Sequence, residues 1–321
     1  MTAATLRIAL KVPAPSMTVA HEWGDYHLAL SLQKALAKRG HCVRIDLLPQ
    51  WDDPHTPEDD LVFVLRGLST YQPRSAHINI MWNISHPDRV SLAEYDLYDH
   101  VLVASKQYCA FLEEKIHPPV SPLLEFTDPE IYYNEIVDGV PSEELLFVGN
   151  SRKQYREVVR FAIEEQLPIS VYGSRWEGII PPQYIKGYIQ NDVLRHYFSK
   201  CKILLNDHWP AMRQHGFICK RVFDAAACGT FFISDRTPVL DDLFGGLAVT
   251  YSGKEDLKES VQYFLAHPEN RRAIAQSIQQ AVLKQHTVDH RVGIILDAAG
   301  RIRESRLPRR ASVPSTVRLP K

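Results

Sequence analysis

The side chains best suited to holding a charged ligand lie between residues 206 and 235, directly after a short apolar run. Cationic side chains at a helix start suit a diphosphate, because they act together with the unpaired backbone N–H groups of the first turn. A carboxylate nearby can accept hydrogen bonds from ribose hydroxyls. An ordinary surface ion pair between Arg221 and Asp224, three residues apart on a helix, is the alternative. The polar and charged residues of this stretch are Asn206, Asp207, His208, Lys220, Arg221 and Asp224.

A second group of polar residues follows two other apolar runs. Asn150, Arg152 and Arg156 come after the run 145–148, and the spacing of the two arginines lets one helical turn present both to a phosphate. Solvated basic side chains at a helix start are the alternative. Tyr172 and Gly173 end the run 169–172, where a glycine either allows the backbone to approach a planar ring or makes a turn.

A third group lies in the first half of the chain. His21, Glu22 and Asp25 follow the first apolar run, and removal of a hydroxyl proton needs one such carboxylate or imidazole. The structural alternative for Asp25 is stabilisation by the helix dipole, since it falls in a first helical turn. Trp82 and His86 lie at the end of another run, where Trp82 can stack on a sugar face or pack in the core. His21 and Asp25 are therefore the candidate catalytic residues.

Composition and missing motifs exclude several kinds of site. The chain has 37 lysines and arginines against 38 acidic residues, a net charge of −1, which provides no overall attraction for nucleic acid or anionic membrane. Its five cysteines are scattered without C-x-x-C spacing, the histidines lack paired ligand spacing, and no D-x-D ends a strand. We therefore predict no metal site. The absence of G-x-G-x-x-G from the first loop argues against a dinucleotide dehydrogenase.

Ten short apolar runs, rich in β-branched residues, alternate with helix-like segments and must position these side chains. Continuous apolar runs are typical of strands buried on both faces of a parallel sheet, so the sequence predicts an α/β fold. Ligands of such sheets bind beyond the carboxyl ends of the strands. The runs are 6–12, 42–48, 61–65, 78–82, 101–104, 145–148, 169–172, 203–205, 230–234 and 247–251.

The loop-like stretch 127–142 divides the runs into two sets, so we predict Rossmann-like domains over 1–130 and 131–300. Residues 301–321 are basic and rich in proline and serine, which predicts a disordered tail. No charged leader with a long apolar segment begins the chain, and no apolar stretch approaches the roughly 18 residues of a spanning helix. These features predict a cytoplasmic protein with no transmembrane segment.

The sequence of residues 220–235, KRVFDAAACGTFFISD, resembles the R-x-F-E-A-x-A-x-G-x-x-x-I-x-D signature of group 1 glycosyltransferases, in particular the CgeB-like branch. The order of the motifs GNSR, VYG and LND before it, and of H-T-x-x-H-R at 286–291 after it, is similar to that family over about residues 145–295. The resemblance implies the GT-B fold, in which two Rossmann-like domains with parallel sheets face each other across a cleft.

The resemblance also implies roles for individual residues. The second domain would bind a nucleotide-sugar donor, with Arg221 on the phosphates, Asp224 on the ribose in place of the family's usual Glu, and the Gly173 loop over the base. The first domain would hold the acceptor, with Trp82 and His86 on that side. Many relatives carry a second Glu eight residues before the first, and this chain has Gly216 there, so its grip on the sugar differs.

The expected function is metal-independent transfer of a sugar from a nucleotide diphosphate sugar to an unidentified acceptor, which is a glycan, a protein or a small molecule. Arg152, Arg221 and the helix start would stabilise the leaving diphosphate, and no cofactor is expected. An inverting reaction would need His21, Glu22 or Asp25 as a base, whereas a retaining one would not. A non-catalytic nucleotide-sugar-binding module and a sugar-nucleotide epimerase or phosphorylase on the same scaffold are the alternatives.

Overall fold

The computed structural model of the chain describes residues 5–52, 58–151 and 153–306. Within these ranges, the first half forms a parallel sheet of six strands in the order β2-β1-β3-β4-β5-β6. Its strands are β1 Arg7–Val12, β2 Cys42–Leu47, β3 Leu61–Arg66, β4 Ile78–Asn83, β5 His100–Val103 and β6 Val120–Pro122. Its helices are α1 Met17–Ala20, α2 Gly24–Lys38, α3 Leu92–Tyr95 and α4 Lys106–Glu113, with short 3-10 turns at Leu48–Gln50 and Pro87–Arg89.

The second half forms another parallel sheet, in the order β12-β11-β10-β7-β8-β9. Its strands are β7 Leu145–Val148, β8 Ile169–Tyr172, β9 Ile185–Gly187, β10 Ile203–Asn206, β11 Phe232–Asp235 and β12 Val249–Tyr251, with a 3-10 turn at Pro182–Tyr184. Its helices are α5 Glu157–Glu164, α6 Leu194–Lys200, α7 Pro210–Gln214, α8 Lys220–Ala227, α9 Pro238–Phe244, α10 Lys254–Ala266 and α11 Pro268–Gln285; α12 Val288–Arg306 follows them. None of the helices in the described ranges is long and apolar enough to cross a bilayer.

The two sheets confirm the predicted α/β architecture, and each of the ten apolar runs overlaps a strand. Every residue of the central strands β3 and β4 is buried, as expected for strands covered by helices on both faces. The sequence did not predict β6 and β9. Both are edge strands of three residues, VSP and IKG, and their composition carries too little apolar signal.

The last helix does not belong to the second domain. Helix α12 packs against α2 and β4, and its residues Val292, Ile295 and Ala299 are buried in the core of the first domain. The predicted boundary at residue 300 is therefore wrong for this helix. The predicted tail also begins too early, because 301–306 complete α12 and Arg306 donates hydrogen bonds to His77 O and Asp99 Oδ1. The rest of the tail, residues 307–321, lies outside the described residues.

The two domains are joined where the chain crosses between them twice. The Thr127 N–H donates to His286 O at 3.0 Å, and the Val288 N–H donates to Thr127 O at 2.9 Å. Arg291, at the start of α12, donates to Leu124 O at 2.8 Å and to Glu125 O at 3.0 Å. The crossing segments are therefore tied to each other, and this fixes the backbone next to the cleft.

Candidate functional site

A central cavity of about 230 Å³ lies between the two domains, at the carboxyl ends of both sheets. Its first-domain wall comes from the start of α2 and from the residues that follow β4 and β6. Its second-domain wall comes from the residues that follow β7 and β10 and from the start of α8. This is the place where ligands bind in open parallel sheets. Polar side chains that line it are Glu22, Asp25, Ser85, His86, Glu125, Asn150, Arg156, Asp207, His208, Cys219 and Arg221.

Two further cavities continue the central one. An outer cavity of about 330 Å³ shares Asp25 and His86 with it and adds Lys153 and Arg175. A lateral cavity of about 170 Å³ shares Asn150 and lies over the loops that follow β7 and β8. The three cavities therefore form one cleft long enough for an extended ligand.

Arg156 is fixed in the second-domain wall by Asp207, which follows the buried strand β10. Its guanidinium forms a bidentate ion pair with the Asp207 carboxylate, with Nε 3.1 Å from Oδ2, and also donates to Asp207 O at 3.1 Å. The guanidinium carbon lies 4.6 Å from the Trp209 ring centroid and 5.7 Å from that of Phe147. The orientation of this positive group is therefore set before a ligand arrives.

Arg221 lies beside Arg156, in the first turn of α8. Its guanidinium lies over the ring of Phe147, which Arg156 also approaches, at 4.9 Å from the ring centroid. Within the described ranges its buried Nη1 has no hydrogen-bond partner. Burial lowers the pKa of Arg221. A buried donor without an acceptor is costly, so an anion in the cavity would gain a charge-assisted hydrogen bond here.

His208 is the third potential cation of this wall, and Asp235 at the end of β11 orients it. His208 Nδ1 lies 2.6 Å from Asp235 Oδ1, and its backbone N–H donates to Oδ2 at 3.0 Å. Burial by itself lowers the pKa of His208, but the charges of Cys219 and Asp235 outweigh it and raise that pKa to about 10. Burial alone would raise the pKa of the Asp235 carboxyl, but the charge and hydrogen bonds of His208 outweigh it and lower that pKa.

Glu125 is the buried carboxyl of the first-domain wall, and the sequence did not predict it. Its backbone is held by Arg291, while its side-chain Oε2 is buried and finds no hydrogen-bond partner in the described part of the chain. Burial raises the pKa of Glu125 well above its ordinary value. Glu125 follows the short edge strand β6, which the sequence did not predict, so no predicted strand end pointed to this residue. A protonated Glu125 can donate a hydrogen bond into the cavity but cannot accept a proton.

The structure brings Asp25 and His86 to the cleft and places His21 at its edge. Asp25 lines the central and outer cavities, and a Cβ added at Gly67 would lie 3.3 Å from its Oδ2. His86 lines both cavities as well, with its ring centroid 6.0 Å from that of Trp209 and Nδ1 2.9 Å from a serine hydroxyl. His21 lines only the lateral cavity, so Asp25 is better placed for chemistry near the arginines.

Asn150 and Gly173 shape the lateral cavity. The Asn150 Oδ1 accepts a hydrogen bond from the Ser174 N–H at 2.8 Å, which joins the loops after β7 and β8. Gly173 has a φ of +137°, and a Cβ there would lie 2.3 Å from the Gly149 carbonyl oxygen. Close backbone packing therefore explains this glycine without a ligand, although it does line the cavity.

Five predicted site residues do not reach the cleft because their side chains are used inside the domains. Trp82 is fully buried, stacks on Phe126 and donates from Nε1 to Leu123 O at 2.8 Å, so it cannot meet a sugar. The Tyr172 hydroxyl donates to Glu143 Oε1 at 2.7 Å. The remaining three are Lys220, Asp224 and Asn206.

Lys220 and Asp224 form an ion pair along one side of α8, at 2.6 Å. Asp224 is only 4% exposed, and burial raises the pKa of its carboxyl to about 6. Asn206 is also buried, and its Nδ2 donates to the Ser234 hydroxyl at 2.9 Å. None of the three lines the cleft, so the ribose contact predicted for Asp224 does not form in this arrangement.

The predicted helical turn shared by two arginines is absent from the described residues. Arg156 precedes the first residue of α5, Glu157, and Arg152 lies outside the described residues. Gly216 has a φ of +71°, and a Cβ there would lie 2.7 Å from Val239 Cγ2. An acidic side chain at that position would therefore need the surrounding residues to move.

Comparisons with known proteins agree with this architecture. Residues 152–297 match the model of a family described as glycosyl transferase-like. The matched residues lie in the second domain and the start of α12. The chain is also 25% identical over 162 residues to the spore protein CgeB of Bacillus subtilis, in an alignment covering 45% of this chain and 50% of CgeB. The match thus spans about half the length of that relative, and it confirms the predicted CgeB-like resemblance.

Solved structures of glycosyltransferases share the fold over nearly the whole chain. Sucrose-phosphate synthase from Thermosynechococcus elongatus has a TM-score of 0.70 at 14% identity, covering 94% of this chain and all of that one. The Anabaena protein HepE, solved in complex with UDP and glucose, has a TM-score of 0.63 at 10% identity, covering 94% of this chain and 99% of its own. The glycosyltransferase-like domain and its partner therefore form a GT-B fold, as predicted.

Proposed function

We propose that this protein transfers a sugar from a nucleotide diphosphate sugar to an acceptor hydroxyl. The observation that carries the proposal is the convergence of Arg156, Arg221 and His208 on one cavity between two Rossmann-like domains. A diphosphate in this cavity would meet two guanidinium groups, an imidazole oriented by Asp235 and the start of α8. The same groups would stabilise the charge that develops on the leaving diphosphate, which is usually the largest catalytic contribution.

The nucleoside would occupy the lateral cavity, beside Asn150 and Gly173. This places the base over the loops after β7 and β8 and directs the diphosphate toward Arg221. HepE was solved with UDP and glucose, so UDP and UDP-glucose are the first donors to test. The proposal needs neither a metal ion nor an organic cofactor, because the arginines and the helix start neutralise the leaving group.

The acceptor would enter through the outer cavity, with Asp25 as the base that removes its hydroxyl proton. Asp25 is preferred to Glu125, because burial raises the pKa of Glu125 well above its ordinary value and disfavours the ionised form that a base needs. Asp25 would make the reaction inverting. His86 borders the same cavity and would contact the acceptor; the acceptor itself is a glycan, a protein or a small molecule.

The decisive experiment is a binding and turnover panel. Unfolding temperature is measured with nucleotides and nucleotide sugars, because a ligand at 100 times its Kd stabilises the folded state by about 2.7 kcal/mol. Donors that bind are then assayed for release of the nucleoside diphosphate, with and without EDTA. We expect UDP to stabilise the protein and UDP-sugar turnover to survive EDTA. If no nucleoside diphosphate or nucleotide sugar stabilises the protein, the proposal is wrong.

Gly216 favours a second candidate, a nucleotide-sugar-binding module without turnover. The family resemblance implies an acidic residue at this position, whereas this chain has a glycine whose added Cβ would lie 2.7 Å from Val239 Cγ2. In that case the panel would give binding of nucleotide sugars, with no release of the nucleoside diphosphate in the presence of any acceptor class.

A further inference from the structure

Cys219 occupies an unusual place for a cysteine, at the residue before α8 and in the wall of the central cavity. It is partly exposed there, whereas Cys109 and Cys228 are buried inside the domains. A thiol at a helix start is stabilised as a thiolate by the positive end of the helix dipole. A helix start alone does not make a cysteine reactive, so the side chains in contact with Cys219 determine whether its thiol is activated.

The first neighbour is His208, whose side chain is fully buried and pinned by Asp235 through Nδ1. This leaves Nε2, the other ring nitrogen, buried and without a hydrogen-bond partner among the residues that the structure describes. His208 and Cys219 lie close enough to shift each other's pKa. The Cys219 thiol meanwhile donates to Asn206 Oδ1 at 3.3 Å, which orients the sulfur. Cysteine, histidine and aspartate thus form a consecutive set like that of an activated thiol nucleophile.

The positive charges around the Cys219 sulfur favour its thiolate form, and Glu125 is the charged group that opposes them. Burial raises the pKa of Cys219, but His208 and Arg221 lower it by more, to about 7. On the opposite wall stands Glu125, the buried carboxyl of the first domain, and an ionised Glu125 would favour the neutral thiol. Because burial raises the pKa of Glu125 and disfavours its ionised form, the cationic groups prevail and a large fraction of Cys219 is thiolate.

We propose that Cys219 is a nucleophilic thiol that exchanges with small anionic disulfides, and that the resulting mixed disulfide closes the central cavity to the diphosphate. The Cys219 thiolate, whose proton has been lost to solvent and whose charge the protonated His208 stabilises, attacks one sulfur of a disulfide such as oxidised glutathione. The disulfide bond breaks, the other half leaves as a thiolate and takes up a proton, and Cys219 is oxidised to the mixed disulfide. An excess of free thiol reverses the exchange.

The anionic character of the reagent follows from the cavity. The carboxylates of a glutathione-like disulfide would meet Arg156 and Arg221, the two guanidinium groups that line the cavity. Reactivity of the thiol does not depend on any function of the protein. Only the closing of the cavity rests on the proposed function, so the two can fail separately.

The first experiment measures the reactivity itself on the full chain. The protein is treated with oxidised glutathione between about pH 6 and 8.5, and mixed disulfides are located by peptide mass spectrometry, with the exposed Cys42 as an internal reference. We expect Cys219 to react about tenfold faster than Cys42 at neutral pH despite its lower exposure, since rate follows thiolate fraction and access. Equal or slower reaction of Cys219 overturns the proposal.

Two variants test whether His208 is responsible. His208→Gln should slow modification of Cys219 about tenfold while leaving that of Cys42 unchanged. Asp235→Asn keeps the imidazole but removes the charge that supports it, and should give an intermediate rate; it also serves if His208→Gln does not fold. Rates at Cys219 that neither substitution changes, in folded protein, overturn the proposal.

The second experiment measures closing of the cavity. UDP binding is compared calorimetrically before and after treatment, and again after reduction, in the natural protein and in Cys219→Ser. We expect treatment to weaken UDP binding at least about tenfold, reduction to restore it, and Cys219→Ser to bind identically before and after treatment. Full modification without weaker UDP binding overturns the closing step. If the untreated protein binds no nucleotide, the proposed function and the closing step both fail, while the mass data decide on the thiol.

Discussion

The two walls of the cleft hold their charged side chains in different ways. On the second-domain wall, Arg156 is locked by Asp207 and the neighbouring rings, and His208 is locked by Asp235. On the first-domain wall, Glu125 keeps a carboxylate oxygen without a hydrogen-bond partner among the described residues. The cationic wall is therefore organised in advance for an anion, whereas Glu125 gives the acidic wall a group whose charge depends on pH and on the ligand. Binding and chemistry should separate along this division.

The largest effect is expected on the acidic wall. Asp25→Asn should lower turnover by roughly 10²–10⁴-fold, the usual contribution of a general base, and leave UDP affinity unchanged because the donor phosphates meet the other wall. Steady-state turnover and calorimetry separate the two effects. Glu22→Gln, at another candidate base that lines the same cavity, tests whether the loss of turnover is specific to Asp25. If turnover of Asp25→Asn is unchanged, Asp25 is not the base, and its remaining role is to stabilise the first turn of α2.

On the cationic wall, Arg156→Ala should reduce both stability and binding. Removing one partner of a buried ion pair leaves Asp207 uncompensated, which costs about 3–5 kcal/mol in the free energy of unfolding. The double variant Arg156→Ala/Asp207→Asn should recover stability in urea denaturation but not affinity for UDP. Recovery of both would mean that Arg156 serves the fold alone.

Arg221→Ala should weaken UDP binding by about 1.5–3 kcal/mol, since it deletes a charge-assisted hydrogen bond. Its stability should change much less than that of Arg156→Ala, because within the described residues Nη1 has no partner to lose. Arg160→Ala is the control, as Arg160 lies on the exposed side of α5 and pairs with Glu164. Calorimetry that gives the same affinity for both variants would contradict a phosphate contact of Arg221.

The smallest effect concerns the titration of Glu125. Its pKa is raised in the folded state, so its contribution to stability is present at acidic pH and is lost as pH rises above the ordinary value of 4.5 toward the folded value. Each unit of that rise is worth about 1.4 kcal/mol. Glu125→Gln should therefore gain stability relative to the natural protein in urea denaturation as pH rises above the ordinary pKa of 4.5. A constant difference would show that Glu125 ionises normally.

The sequence predicted the fold well because the strands of both sheets are buried on two faces. A continuous apolar run such as 61–65 or 145–148 has few other uses in a soluble α/β chain. The pattern says little about short edge strands, and for this reason β6 was missed together with Glu125, which follows it. The CgeB-like resemblance began only at about residue 145, so it gave no guide to this region of the first domain.

The site was predicted less evenly, because a place after a strand does not tell which way a side chain points. Asp207 and His208 follow β10 and line the cavity, while Asn206, one residue earlier, points into the core. Lys220 and Arg221 are also neighbours, yet one pairs with Asp224 inside the domain and the other faces the cleft. Direction along a strand end or a helix turn depends on packing partners from distant parts of the sequence.

The return of α12 to the first domain affects the order in which the protein can be made. Val292, Ile295 and Ala299 fill the same core as strands β1 and β3, although almost 300 residues of chain separate the earliest strand from this helix. During synthesis we therefore expect the first sheet to keep an apolar face uncovered until α12 leaves the ribosome. A gene fragment that ends after β6 would yield a chain prone to aggregation, whereas one coding for 145–285 would retain the strands and helices of the second sheet.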